Sequence, residues 1–159
     1  MNELHIRDAS SGDLSGIVAL EQRVFSYNQL PRRSFRYYLK SPGSDLFVAE
    51  AGGALIGYAL VCYRTGSRGA RLYSICADNA TGRRGVGREL LKQAEMRARA
   101  RRCETMQLEV KDDNAPAIRL YRAMHYQEFG RYEDYYEDGR SALRFRKSLV
   151  AHADAPDAR

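Results

Sequence analysis

The sequence predicts a single α/β domain built on a mixed β-sheet. Its 159 residues are enough to bury one core, and 44% of them are hydrophobic, which excludes a disordered chain. Strand and helix patterns alternate along the chain instead of falling into separate blocks. The strand ARLYSICAD (70–78), a helix and the strand TMQLEV (105–110) follow one another, which predicts a right-handed crossover between parallel strands.

The first half of the chain contains three strand patterns and two helix patterns. Ser11 or Asp13 can cap the first helix. Pro31 and Ser34 open the second helix, and Pro42 ends it. The AGG stretch between the last two strands predicts a hairpin. In chain order the predicted elements are a strand over LHIRDAS (4–10), helices over LSGIVALEQRVF (14–25) and SFRYYLK (34–40), and strands over DLFVAE (45–50) and ALIGYALVCYR (54–64).

The second half continues the alternation and ends in two strands around the turn EDGR. Pro116 suits the first turn of its helix. The predicted order is therefore β-α-α-β-β-β-α-β-α-β-β, with a domain over residues 1–150 and a flexible tail over 151–159. The elements are the strand ARLYSICAD (70–78), a helix from about Val86 to Arg101, the strand TMQLEV (105–110), a helix over NAPAIRLYRAM (114–124), and strands over HYQEFGRYEDYY (125–136) and SALRFRKSL (141–149).

The stretch TGRRGVGREL (81–90) places three glycines and three arginines at the start of a predicted helix. Glycine lets a ligand approach main-chain amides, and a helix N-terminus presents unpaired N–H groups, so this stretch predicts a phosphate site. A P-loop is excluded because Arg88 and Glu89 stand where Lys and Ser or Thr are needed. The dinucleotide fingerprint is excluded because Leu90 replaces its third glycine.

Two motifs in the correct order resemble the GNAT superfamily of N-acetyltransferases. The first is the coenzyme A pyrophosphate loop, [Gln/Arg]-x-x-Gly-x-[Gly/Ala], in which Gly85 and Gly87 fill the glycine positions and Gly82 replaces the first residue. The second, LEVKDDNAPAIRLY (108–121), resembles the L-E-V-x-x-x-N-x-x-A-x-x-L-Y segment of the ribosomal-protein-alanine N-acetyltransferase branch. The resemblance covers about residues 4–149.

The resemblance implies a single-domain GNAT-like fold and acetyl-CoA as the co-substrate. It implies Glu109 as general base and Tyr121 as general acid toward the leaving thiolate. It also implies an irregular splay beside strand 70–78, and a left-handed, structural role for His125 where the family has glycine. The residues expected to contact the coenzyme are Ile75, Cys76, Ala77, Arg83, Arg84, Gly85, Val86, Gly87, Arg88, Asn114, Ala117 and Tyr121.

The spacing of these residues suits the chemistry. Asn114, Ala117 and Tyr121 lie at i, i+3 and i+7 on one helix face. Asn114 can bond an amide of the coenzyme arm, Ala117 leaves room for that arm, and Tyr121 can donate a proton. Simpler roles stay open: a helix cap for Asn114, packing for Tyr121 and a salt bridge for Glu109.

Aromatic residues from two regions are expected to flank the acceptor. They are Phe25, Tyr27, Tyr38, Tyr135 and Tyr136. The acidic, aromatic cluster 132–138 could attract a cationic amine. A protein N-terminal α-amine is the leading acceptor, and a small amine such as a polyamine or amino sugar is the alternative. A non-catalytic acyl-CoA sensor is a third interpretation, which the presence of both Glu109 and Tyr121 disfavours.

The remaining features disfavour other classes of function. The net charge of +6 favours an anionic partner, and a nucleic-acid-binding module that uses the arginine-rich helix stays an alternative. The basic run at 97–102 lacks interleaved aromatics, however, so we expect a solvated helix face. Neither a membrane span, a signal peptide nor metal-ligand spacing is visible, and three cysteines without CxxC spacing predict a reducing cytoplasm. Both a monomer and a homodimer are compatible with the sequence.

Overall fold

The computed structural model describes residues 3–150 and contains a seven-stranded mixed sheet in the order β1-β2-β3-β4-β5-β7-β6. The predicted element order is confirmed, and the predicted tail over 151–159 lies outside the described residues. The elements are β1 His5–Asp8, α1 Leu14–Val24, α2 Arg32–Lys40, β2 Ser44–Ala51, β3 Ala54–Tyr63, β4 Gly69–Ala77, α3 Val86–Ala100, β5 Thr105–Lys111, α4 Ala115–Ala123, β6 Gln127–Tyr132 and β7 Ala142–Ser148, with 3₁₀ turns at Ser11–Asp13 and Asn79–Thr81.

Several element boundaries differ from the prediction for local reasons. The strand expected over 125–136 ends at Tyr132, because Asp134 adopts a left-handed backbone with φ 49°. Helix α2 begins two residues before Ser34, directly after Pro31. Of the two predicted caps of α1, Asp13 occupies the N-cap position without a side-chain cap hydrogen bond, and Ser11 lies in the preceding 3₁₀ turn.

Strands β4 and β5 pair in parallel over only part of their length. Gly69–Leu72 pairs with Thr105–Leu108, which confirms the predicted parallel pairing of these two strands. Tyr73 is an extra residue in β4, because Leu72 pairs with Val61 of β3 and Ser74 with Leu60. Beyond this bulge β4 continues to pair with β3, and β5 continues to pair with β7, so a gap opens between β4 and β5.

Helices cover both faces of the sheet. Along β3, Ala59 and Val61 pack in the core beneath α3 and α4, whereas Tyr58 and Leu60 pack against α1 and α2. Fully buried side chains such as Phe35 fill this second core, which lies between the sheet and helices α1 and α2. Within residues 3–150 no helix is both long and apolar enough to cross a membrane.

Gly57 of β3 allows α3 to approach the sheet at its first turns. A Cβ at this position would lie 2.7 Å from the backbone oxygen of Cys76 and 3.0 Å from Leu90 Cδ1. It would also lie 3.2 Å from Val86 Cγ1, at the first residue of α3. The absence of a side chain at Gly57 therefore helps to set the position of the 81–90 loop.

We expect Gly57→Ala to lower the free energy of unfolding by about 1–3 kcal/mol, because the new methyl group meets backbone that cannot move aside. Gly16→Ala is the matched control, since its Cβ would also lie 2.7 Å from an atom, but that atom is the flexible tip of Leu55. Ala also favours the helix at Gly16 by about 1 kcal/mol, so this variant should unfold close to wild type. Urea unfolding measures both changes, and equal losses would contradict the packing role of Gly57.

Candidate active site

A cleft of about 180 Å³ opens at the gap between β4 and β5. Five segments line it: the end of α1 with the following loop, β4, β5, α4 and the β6–β7 loop. The lining residues with a bearing on its chemistry are Glu21, Phe25, Tyr27, Arg71, Tyr73, Ile75, Glu109, Lys111, Asn114, Ala117, Tyr121, Tyr135 and Tyr136. The cleft thus brings together the predicted base, the predicted acid and four of the five predicted acceptor residues.

Glu109 lies near the end of β5 with its carboxylate between two guanidinium groups. Arg71 Nη2 of β4 lies 2.5 Å from Glu109 Oε1, and Arg144 Nε of β7 lies 3.9 Å from Glu109 Oε2. The Glu109 side chain is only 6% exposed, yet it lines the cleft. The salt bridge, which was the alternative role for Glu109 in the sequence analysis, is therefore present, and it holds the carboxylate toward the cleft.

One face of α4 carries Asn114, Ala117 and Tyr121 into the cleft, as their spacing predicts. The Tyr121 ring packs against Tyr126 and Phe145, with centroid distances of 5.9 and 6.2 Å. Burial raises the pKa of Tyr121, so the phenol keeps its proton at neutral pH. Asn114 Oδ1 accepts a hydrogen bond from Ala117 N at 3.3 Å, so the helix-cap role of Asn114 is confirmed.

The glycine-rich loop leads directly into α3. Gly82 and Gly85 have φ values of 73° and 81°, a region that favours glycine. The first i→i−4 bond of α3 runs from Glu89 N to Gly85 O at 3.0 Å, so the amides of residues 86–88 have no partner within the helix. These amides fit a diphosphate, and the exposed side chains of Arg84 and Arg88 can add positive charge. Arg83, Arg84, Gly85 and Arg88 line a groove whose other side is formed by residues 3–6, while Val86 is buried and Gly87 packs beside Leu120.

Ile75, Cys76 and Ala77 lie on β4 beyond the bulge, but only Ile75 lines the cleft. The Cys76 thiol is 1% exposed and donates to the Leu20 carbonyl at 3.9 Å. Burial raises its pKa to about 12, which keeps the thiol protonated and unsuited to act as a nucleophile. Ala77 pairs with Gly57 at the end of β4.

Two tyrosines form one wall of the cleft. The rings of Tyr27 and Tyr136 meet edge to face at 5.5 Å. Lys111 Nζ lies 4.0 Å from the Tyr27 ring centroid and 2.6 Å from Asp138 Oδ2. Tyr38 is not among the residues that line the cleft, although its ring lies 5.7 Å from that of Tyr73, which does.

Three charged residues of the cleft were not predicted from the sequence. Glu21 Oε2 accepts from Leu30 N at 2.8 Å, and Glu21 Oε1 accepts from the Tyr58 hydroxyl at 2.5 Å. Burial raises the pKa of Glu21. Lys111 could have been found, since it lies two residues after Glu109 on the same strand face. Arg71 depends on the β4–β5 register, for which the sequence has no local signal.

Comparisons with known proteins agree with this geometry. Residues 14–126 match the Acetyltransferase (GNAT) family. The chain belongs to the GNAT family. It is 34% identical to the N-alpha-acetyltransferase RimI of Mycobacterium tuberculosis, over 85% of this chain and 86% of that protein. It is 30% identical to an N-alpha-acetyltransferase of Sulfurisphaera tokodaii, over 88% of this chain and 90% of that protein.

A solved structure shows the same fold. The ribosomal-protein-S18-alanine N-acetyltransferase of Escherichia coli superposes with a TM-score of 0.84 at 24% identity, covering 96% of this chain and 98% of that one. By its family match and its two relatives, the protein is an acetyl-CoA-dependent GNAT acetyltransferase. Among the described residues 3–150 there is no group of three or more His, Cys, Asp or Glu side chains that could hold a metal ion.

We expect Gly85→Ala to weaken acetyl-CoA binding by about tenfold, because a side chain disfavours the left-handed backbone that orients the amides of the GNAT loop. Gly53→Ala is the matched control: both glycines have φ 81°, and a Cβ added at either one would meet no atom within 4 Å. Gly53 lies in the β2–β3 hairpin, so its variant should lose similar stability and keep coenzyme affinity. Titration calorimetry with acetyl-CoA separates the two, and equal dissociation constants would contradict the role of Gly85.

Proposed function

We propose that this enzyme transfers acetyl from acetyl-CoA to the N-terminal α-amine of a protein. The observation that carries the proposal is the tyrosine wall of Tyr27 and Tyr136 beside the carboxylate of Glu109 and the phenol of Tyr121. A polypeptide end can pass such a wall in extended form. The two relatives named N-alpha-acetyltransferase support the same acceptor. An α-amine, with a pKa near 8, also loses its proton more easily than a lysine side chain, whose pKa is about 10.4.

The reaction needs two protons removed from the acceptor nitrogen and one proton delivered to sulfur. Glu109 accepts the first proton from the incoming ammonium group, directly or through water, and leaves a neutral amine. The amine nitrogen attacks the thioester carbonyl, so that a C–N bond forms and the C–S bond breaks, and the second proton passes from this nitrogen to water as the amide forms. Tyr121 donates its phenolic proton to the departing thiolate. The two groups lie on neighbouring elements, β5 and α4, which face the same cleft.

The other residues that are predicted to contact the coenzyme would hold two different parts of it. The amides of Val86, Gly87 and Arg88 would hold the diphosphate, with charge from the neighbouring arginines. Backbone groups of Ile75–Ala77 and the amide of Asn114 would bond the pantetheine arm. Ala117 would leave space for that arm on the face of α4.

The acidic cluster 132–138, which favoured a small cationic amine in the sequence analysis, gives that acceptor less support in the folded protein. The acidic cluster 132–138 is partly neutralised, because Asp138 pairs with Lys111 and Glu133 Oε1 lies 3.8 Å from Arg131 Nη1. Lys111 also holds the pKa of Asp138 below its ordinary value, so that carboxylate stays paired as an ion. A cytoplasmic location remains a prediction from the cysteine pattern.

Isotope-labelled acetyl-CoA tests the acceptor. The enzyme is incubated with a pool of peptides that carry both N-terminal and lysine amines, together with spermidine and an amino sugar, and mass spectrometry locates the label. We expect label on α-amines. Label on the small amines alone would contradict the proposal.

We expect Tyr121→Phe to lower kcat by about 10²-fold with little change in acetyl-CoA affinity, since general acid catalysis contributes at least this much. Tyr126→Phe is the matched control, because Tyr126 packs on Tyr121 but donates its hydroxyl to Glu95 at 2.8 Å. That control should lose stability and keep kcat. Steady-state kinetics and calorimetry measure both effects, and equal kcat losses would exclude Tyr121 as the acid.

A further inference from the structure

Two guanidinium groups flank the one carboxylate at the end of β5. Arg144 is the register partner of Glu109 on β7, and Arg71 reaches Glu109 from β4 on the other side. Arg71 lines the cleft and is 42% exposed, whereas the carboxylate between the two arginines is almost buried. Arg71 is therefore the cation of this trio that an acceptor can touch.

Both arginines have hydrogen-bonding capacity that the described residues do not use. The Nε atoms of Arg71 and Arg144 are buried and have no hydrogen-bond partner among residues 3–150. The 3.9 Å from Arg144 Nε to Glu109 Oε2 is an ion-pair distance, too long for a hydrogen bond. One carboxylate thus lies against two guanidinium groups, and the Nε–H donor of each has no acceptor among residues 3–150.

Two arginines at one carboxylate leave a net positive charge, and the other charged residues of the cleft do not neutralise it. Lys111 and Asp138 form their own pair at 2.6 Å. The Glu21 carboxyl is buried and already bonded to Leu30 N and the Tyr58 hydroxyl. The group of Arg71, Arg144 and Glu109 therefore carries one more positive than negative charge, and an incoming ammonium group adds another. An acceptor that brings its own carboxylate restores the balance.

We propose that Arg71 determines acceptor specificity by favouring proteins whose first residue is Asp or Glu; this inference rests on the proposed function. An α-amine delivered to Glu109 places its first side chain beside Arg71, because the guanidinium lies 2.5 Å from that carboxylate. A first-residue carboxylate can then accept charge-assisted hydrogen bonds from Arg71. The neutral isostere cannot form them.

The test compares two peptides that are identical except for Asp or Asn at the first position. We expect the wild-type enzyme to prefer the Asp peptide by about tenfold in kcat/KM, and this ratio to fall as salt is added. Arg71→Met should bring the ratio close to one, and Arg71→Lys should retain part of it. Because both peptides are measured with the same enzyme, a general loss of activity cancels from the ratio.

Arg146→Met is the matched control. Arg146 lies two residues after Arg144 on β7, over the Phe129 ring at 4.4 Å, and does not line the cleft. Its variant should keep the wild-type ratio. Equal rates with the Asp and Asn peptides in the wild type, or an unchanged ratio in Arg71→Met, would overturn the inference while α-amine transfer stands. Absence of α-amine acetylation on every peptide would instead overturn the proposed function, and this inference with it.

Discussion

The divergence of β4 from β5 after Leu72 is the constraint on which the active site depends. The extra residue Tyr73 shifts the register of β4 against β3, and the parallel pairing with β5 ends at Leu72 and Leu108. Backbone groups beyond this point face a gap where a continuous sheet would have paired them. A ligand that carries amides can enter there without breaking any hydrogen bond of the fold, and the cleft lies at the same place.

The charged groups of the site span this gap. Arg71 and Glu109 belong to the two strands that separate, and their side chains meet across the opening. Arg144 holds the same carboxylate from β7, so the position of Glu109 follows from the sheet register on both sides. The two guanidinium groups fix the direction of the carboxylate that we propose as the base, and the charge preference that we propose for the acceptor rests on the same two groups.

Most of the fold and part of the site could be predicted from the sequence, because the residues concerned lie close together in the chain. The glycine loop before α3 and the Asn114–Tyr121 face of α4 each lie within one short stretch, where spacing alone determines geometry. Arg71 and Glu21 could not be found in this way, since their roles depend on partners from other elements. Tyr38 does not line the cleft as expected, because its position follows from the packing of α2 in the second core, and its ring contacts the lining residue Tyr73 instead.

The most direct test of this mechanism is a crystal structure with coenzyme A joined covalently to the α-amine of a peptide that begins with Asp. We expect the pantetheine arm in the gap between β4 and β5, the junction between Glu109 and Tyr121, and the Asp carboxylate on Arg71. The peptide should leave past Tyr27 and Tyr136. A conjugate with its arm outside the β4–β5 gap, or with its peptide on the far side of the sheet from Arg71, would contradict this mechanism.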